Sequence, residues 1–367
     1  MIPGTTNEPK RIEAWETLSY LTQGNPLLIL ISLRQNPVQN KTNLTKRIEK
    51  EIDPSTVAEI INEQQKRALI RDRPSPAKNQ YETTLFGNLV LEAYSNLLSK
   101  VGWKAIKYIS KSQTTLTILK YLDSNLSTLS DLTEDGSICA SRSTISNHLS
   151  NLEELGWVNR KPPYECSSAG STIIDAYSEY ANHIERLTER RPFLRHFDMP
   201  DLPLEAIPGT EMTAASVGDS DAPTQAFVDT IEGDFNHIRG ATPTINKQYV
   251  REFRPLLGSD CRVELIGDRS VLSEANTTYM SAFAKGLVTP TTTLLVSDEP
   301  ITVGIAIFDH ETVWLGAYGK SRRDRAVLTG SNNALFKWAS DAYEEICENA
   351  TPSSKVITKS VADMLKP

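Results

Sequence analysis

Cysteine is scarce in this chain and scattered: four residues, at 139, 166, 261 and 347, with no CxxC pair among them. That spacing excludes a zinc ribbon and offers no disulfide framework. Isolated buried thiols are the expectation, with redox sensing at Cys139 or Cys166 as the minor alternative. The five histidines are equally dispersed, and none stands in ordered spacing with a carboxylate and a nucleophile. No apolar run is long enough to span a bilayer, and the opening MIPGTTNEPKRIEAW has no apolar signal core. A soluble, cytoplasmic protein with no membrane partner is expected.

Enzyme signatures are missing too. GKS at 319–321 resembles the end of a phosphate-binding loop, but the earlier glycine such a loop requires falls on Trp314. HETVW at 310–314 lacks the second histidine of a zinc protease helix, and GDSDA at 218–222 ends in alanine where a nucleophile elbow needs glycine. Neither an enzyme nor a cofactor is expected.

The net charge of −7 argues at first against a nucleic-acid partner, but it is unevenly placed. Up to residue 200 there are 24 Lys and Arg against 23 Asp and Glu; beyond it, 15 against 23. The acidic surplus belongs to the second half. The first half is free to approach phosphate, with modest, salt-sensitive affinity helped by dimerisation.

What is present centres on CASRSTISNHLSNLEELGWVNRK at 139–161. Ile145, Leu149, Leu152 and Leu155 recur at steps of four, three and three, one stripe along a helix. The other face carries Ser141, Arg142, Ser143, Thr144, Ser146, Asn147 and Ser150. Ser141 or Ser143 as a simple cap beside solvated neighbours explains part of this. Gly156 then ends the helix, WVNR has strand character, KPP turns, and YECS returns. Helix followed by hairpin is the layout of a winged helix-turn-helix, whose second motif helix enters the major groove. Short hydroxyls and an amide permit close approach to base edges, and an arginine can grip guanine or phosphate. Upstream, 105–125 predicts an amphipathic first helix and TLSDLTEDGS (128–137) a short second one, capped by Thr128 or Ser130.

The first hundred residues repeat the plan. Residues 13–35 predict an apolar first helix and 42–52 a second; 53–70 opens a third on an Asp-Pro cap. Residues 69–84 predict another wing, with Arg71, Arg73 and Lys78. The helix before that wing exposes Glu59, Glu63 and Gln64, so this copy either grips the backbone through its wing or serves in dimerisation. Residues 85–109 predict a helical connector, and 171–197 a long helix ended by Pro192.

The proline-rich DMPDLPLEAIPGTE (198–211) marks a boundary. Beyond it 261–267, 292–298, 301–309 and 313–319 read as strands, with helices at 270–286 and 332–350. Trp314, Gly316 and Tyr318 alternate onto one side of a strand. Paired with 301–309 as a hairpin, that strand brings Phe308, and with it Arg254, near a gap above Gly316 that a small molecule could fill. Simple aromatic core is the plainer reading.

On SRSTISNHLSNLEELGWV (141–158), RPFLRHF…LPLEAIPGTEMTAASVGDSDAPTQAF (191–227) and ITVGIAIFDHETVWLGAYG (301–319), the chain resembles archaeal winged-helix transcriptional regulators, especially haloarchaeal ones, with a methanogenesis-regulator-type C-terminal domain. The likeness covers about residues 105–350. It implies a one-component regulator, binding DNA at its N-terminus and sensing or dimerising at its C-terminus. An extra winged unit and a less acidic surface depart from that pattern.

The fold expected is α+β: tandem winged helix-turn-helix domains at 1–95 and 96–200, then an α/β sensor-like domain at 201–367. The expected function is sequence-specific binding of double-stranded DNA by a homodimer that answers to a small-molecule effector. Ser141, Arg142, Ser143, Thr144, Ser146 and Asn147 read the groove, with Arg160 and Lys161 on the wing. The rival is a winged-helix protein–protein scaffold with little specific DNA binding.

Overall fold

The computed structural model describes residues 8–36, 39–47, 53–73, 80–159, 162–199, 201–231, 233–257, 259–319 and 322–356. The chain is mixed α and β and divides into two compact units between Thr188 and Glu189, with 84–86 belonging to the second.

The first unit holds two successive helical arrays. Helices α1 (Glu8–Thr22) and α2 (Asn25–Gln35) replace the single helix expected over 13–35. Gly24 sits between them at φ 91°, a left-handed backbone that glycine tolerates without a Cβ penalty, and Pro26 stands in the first turn of α2. Strand β1 (Gln39–Asn40), helix α3 (Lys41–Arg47), helix α4 (Pro54–Lys66) and strands β2 (Ile70–Asp72) and β3 (Gln80–Thr83) follow. The Asp53 carboxylate accepts from the Ser55 amide at 2.8 Å, the cap expected of the Asp-Pro start. The three strands form one antiparallel sheet in the order β1-β3-β2. Leu18, Leu21, Ile29, Leu30, Leu33, Leu44 and Val57 are fully buried among these helices.

Helix α5 (Leu85–Ile109) leads into the second array: α6 (Gln113–Ser124), α7 (Leu129–Glu134), α8 (Arg142–Glu154) and α9 (Ser168–Glu189). The helix expected over 105–125 is therefore two, α5 ending at Ile109 and α6 starting after Ser112. The long helix expected over 171–197 likewise ends at Glu189, and Pro192 falls in the first turn of a separate short helix.

The second unit contains α10 (Arg191–Leu194), β4 (Glu211–Ala214), α11 (Ala222–Ile231), β5 (His237–Thr242), α12 (Lys247–Leu256), β6 (Arg262–Asp268), α13 (Arg269–Thr277), α14 (Met280–Val288), β7 (Thr292–Ser297), β8 (Val303–Phe308), β9 (Thr312–Tyr318), β10 (Asp324–Gly330), α15 (Asn333–Glu348) and β11 (Ala350–Pro352). Its eight strands form one mixed sheet, ordered β11-β7-β6-β5-β8-β9-β10-β4. Strands β5, β6 and β7 run parallel, and the remaining pairs are antiparallel. The helix expected over 270–286 is divided into α13 and α14.

Side-chain alternation assigns the faces of this sheet. Arg239 of β5 reaches α15, with its guanidinium 5.4 Å from the Tyr343 ring centroid and 3.8 Å from the Glu344 carboxylate. Its neighbours Ile238 and Gly240 turn the other way, toward α11 and α12. Helix α15 buries Leu335, Trp338, Ala339, Ala342 and Tyr343 against the sheet. No helix among the described residues is long and apolar enough to cross a membrane.

Candidate nucleic-acid interface and ligand cavity

Helix α8 is fixed from its inner side. Ile145, Leu149 and Leu152 are buried, and His148 adds a contact from Nδ1 to the Thr115 hydroxyl of α6 at 3.2 Å. Burial holds the His148 imidazole below its ordinary pKa, so it packs as the neutral ring. The hydroxyl of Ser141 accepts from the Thr144 amide at 3.2 Å and lies 2.9 Å from the hydroxyls of both Ser143 and Thr144. Ser141 is thus the N-cap, and its loss should cost about 1 kcal/mol of helix stability. Ser141, Arg142, Ser143, Thr144 and Asn147 are exposed together, and Ser146 is half-buried at their edge. The Arg142 guanidinium lies 3.4 Å from the Ser130 hydroxyl at the start of α7.

Around α8 the chain supplies further backbone pairing. Thr128 and Asp131 cap α7 reciprocally, which holds the Asp131 carboxyl below the usual range. Val158 pairs antiparallel with Cys166, and Ser127 with Tyr164. Residues 127, 158 and 164–166 therefore make a small three-stranded arrangement beside α8. The third strand, at Ser127, left no signal in the sequence because it is one residue long. Arg160, Lys161 and Lys78 lie outside the described residues. Cys139 is exposed and Cys166 and Cys347 are partly so, leaving Cys261 as the one buried thiol of the four.

The first array differs at the corresponding place. Gln64, expected on the exposed face of α4, is fully buried and donates to the Pro26 carbonyl at 2.7 Å. Glu59 is exposed, and Glu63 pairs with Arg67 at 2.8 Å. On the wing, Glu82 lies opposite Arg71 in the β2–β3 ladder and holds it at 2.7 Å, with Arg73 3.9 Å from its second oxygen. One carboxylate thus offsets part of the charge of two candidate phosphate contacts.

In the second unit, Phe308, Trp314, Gly316 and Tyr318 all sit on one face of the β8–β9 hairpin, as period two requires. The space above Gly316 is not vacant. A Cβ there would lie 2.7 Å from the Trp314 ring and 2.9 Å from the Tyr318 hydroxyl. Phe308 is fully buried in the same apolar core, whereas Arg254 is exposed on α12. The open volume lies alongside: a cavity of about 170 Å³ between the sheet and helices α11 to α14. Gly240, Gly304 and Ala306 contribute its floor, Trp314 and Tyr318 one wall, and Tyr249, Phe253, Leu272, Ala275 and Phe283 the helical side.

Behind that wall lies a buried polar knot. Asp324 Oδ2 accepts from Tyr249 at 2.8 Å and from Thr224 at 2.5 Å. Burial raises the Asp324 pKa above the ordinary carboxylate value. The Tyr249 hydroxyl is therefore engaged. Among the described residues no group of histidines, cysteines and carboxylates is placed to hold a metal ion.

The family model for the middle domain of the methanogenesis regulatory protein FilR1 matches residues 220–349, which span α11 to α15 and include all the cavity's lining residues but Ser353. A comparison with curated proteins found no match. Among solved structures, TrmBL2, described as an archaeal chromatin protein with a novel mode of DNA binding, aligns over 92% of this chain and 99% of its own, at 10% identity and a TM-score of 0.32. NucT from Helicobacter pylori aligns over 39% of this chain and 98% of its own, at 12% identity and a TM-score of 0.32. The phospholipase D family member Nuc from Salmonella typhimurium covers 39% and 97%, at 13% identity and a TM-score of 0.32. Structural similarity at this level assigns no role.

Proposed function

We propose that this chain is a transcriptional regulator that binds double-stranded DNA sequence-specifically through a winged helix-turn-helix built from α6, α7, α8 and the 158–166 hairpin. The observation that carries the reading is the exposed end of α8. There Ser141, Arg142, Ser143, Thr144 and Asn147 stand exposed in the first turns of a helix anchored by Ile145, Leu149 and Leu152. Such a surface suits close approach to base edges, with Arg142 as the strongest reader. Arg160 and Lys161, next in the chain, are the further DNA contacts of this reading. The family match over 220–349 supports a regulatory role for the second unit.

Residues 1–95 form a second winged domain in this reading, 96–200 the reading domain, and 201–367 the sensing or dimerising domain of a cytoplasmic, archaeal-type homodimer without catalytic activity. A small-molecule effector bound in the last domain shifts the balance between DNA-competent and incompetent states. The acidic helix α4 and the Glu82-paired wing favour a dimerisation or partner role for the first array.

Retardation of labelled genomic fragments, measured over a series of salt concentrations, tests the proposal. A regulator retards a subset of fragments with affinity that falls steeply in salt. A protein–protein scaffold retards none preferentially, and that result would reject the reading.

A further inference from the structure

The second unit holds another, larger space, a polar cleft of about 880 Å³. Its walls are the loop after β4, the start of α12 and the residues that lead into β10. All of its lining belongs to that one unit. Thr244 and Asn246 place it just beyond the carboxyl end of β5, a strand that runs parallel to β6. Ligands of open α/β sheets bind off such ends.

Four cations line the cleft, Lys247, Arg322, Arg323 and Arg325, against two carboxylates, Asp221 and Asp324. Asp324 is already committed to the hydroxyls of Thr224 and Tyr249. Arg322 is committed as well: from a left-handed backbone at φ 55° it pairs with Asp268 at 2.9 Å and donates to the Pro243 carbonyl at 2.9 Å. The other three cations are exposed, and among the described residues no carboxylate pairs with any of them. Gly319 makes room for Arg325, because a Cβ there would lie 2.6 Å from the Arg325 Nε.

This local excess runs against the charge around it. Beyond residue 200 the chain has 23 Asp and Glu against 15 Lys and Arg. A surface of that sign turns away duplex DNA, a long polyanion, whereas a small anion meets only the cleft. Arginine's planar fork suits phosphate oxygens. Lys247 and Gln248 open α12, where backbone amides lack an intrahelical acceptor and the helix dipole favours negative charge. Ser216, Ser220, Thr244 and Gln248 offer hydroxyl and amide groups to the rest of a ligand, and no aromatic side chain lines the cleft to stack on a base.

We infer that this cleft binds a small phosphomonoester with a hydroxylated, non-aromatic body, its phosphate held by Lys247, Arg323 and Arg325. This deepens the effector reading of the second unit and rests on it only for the regulatory consequence; the binding itself needs no DNA.

Isothermal titration calorimetry of the full chain at low salt and about pH 7.5, where a phosphomonoester is close to a dianion, tests this. The probes are glucose 6-phosphate, glucose, citrate and adenosine 5′-monophosphate. Glucose 6-phosphate should bind saturably at one site per chain, and glucose should give no saturable heat. Citrate should bind at least about tenfold more weakly than glucose 6-phosphate, and the nucleotide no more tightly than it. Replacing Arg323 and Arg325 together by Gln should weaken glucose 6-phosphate at least about tenfold. Replacing Arg251 and Arg254 by Gln removes the same charge from exposed positions of α12 outside the cleft, and should leave binding within about twofold. All four arginines are exposed, so both variants should keep the parent's circular dichroism. No saturable binding of glucose 6-phosphate, citrate or the nucleotide binding more tightly than it, or equal losses in the two variants would overturn the inference. Because no probe involves DNA, its failure leaves the fragment-retardation result standing on its own.

Discussion

Gly304 lies directly opposite Gly316 in the β8–β9 ladder, and the rings of Trp314 and Tyr318 occupy the space over both. Two large aromatics can lie flat on a sheet only where the residues beneath them have no side chains. The pair of glycines thus makes room for the aromatic wall of the cavity. Replacing Gly316 by Leu therefore overpacks the wall and should destabilise the second unit by about 1–3 kcal/mol or more. Chemical denaturation followed by tryptophan fluorescence measures the loss; a variant as stable as the parent would mean that the rings swing aside at little cost.

Arg142 offers the sharpest test of α8 as the reading helix. Its change to Ala should cost about 1–3 kcal/mol of specific binding and relax preference at one base position, provided the contact is bidentate to guanine. Equal losses on specific and non-specific DNA would reassign Arg142 to phosphate. No change on either would remove α8 from the interface.

For the first wing, the pairing of Arg71 and Arg73 with Glu82 leads us to expect little. Replacing both arginines by Ala should alter the slope of log affinity against log salt by less than about one unit. A drop of about two would place both on phosphates, with Glu82 displaced on binding. Lys78 can be tested alone by the same titration.

Acid should weaken the α6–α8 packing through His148. Burial lowers its native pKa below the ordinary 6.5, so the unfolded chain binds more protons than the native one in that interval. Stability therefore rises with pH there, is fully present above 6.5, and is lost as pH falls from 6.5 to the depressed native value. Urea titrations at pH 7 and pH 5 should show the decline, and His148→Gln should show less of it. The same decline in both proteins would trace the acid sensitivity to other groups.

Much of this molecule was legible locally. The stripe of Ile145, Leu149 and Leu152, the Asp53 and Ser141 caps, and the runs that became β6 to β9 depend on neighbours within a few residues, which periodicity and capping chemistry report directly. The expected exposed hydroxyl face of α8 followed from the same stripe. Tertiary structure decided the rest. Strand β5, HIRGAT, sits in the middle of the eight-stranded sheet although its sequence carries His, Arg and Gly. It is a strand because β6 and β8 pair with it on either side, and Arg239 is accommodated by Ser340, Tyr343 and Glu344 about a hundred residues away. Gln64 is buried because the Pro26 carbonyl, 38 residues distant, needs its amide. Glu82 offsets the wing arginines only through the ladder register, and the apolar cavity exists only where residues from β5, β8 and α13 meet. Local interactions fix backbone conformation within a turn or two of helix. Which charges cancel, which polar groups are buried and where space is left open depend on residues brought together from distant parts of the chain.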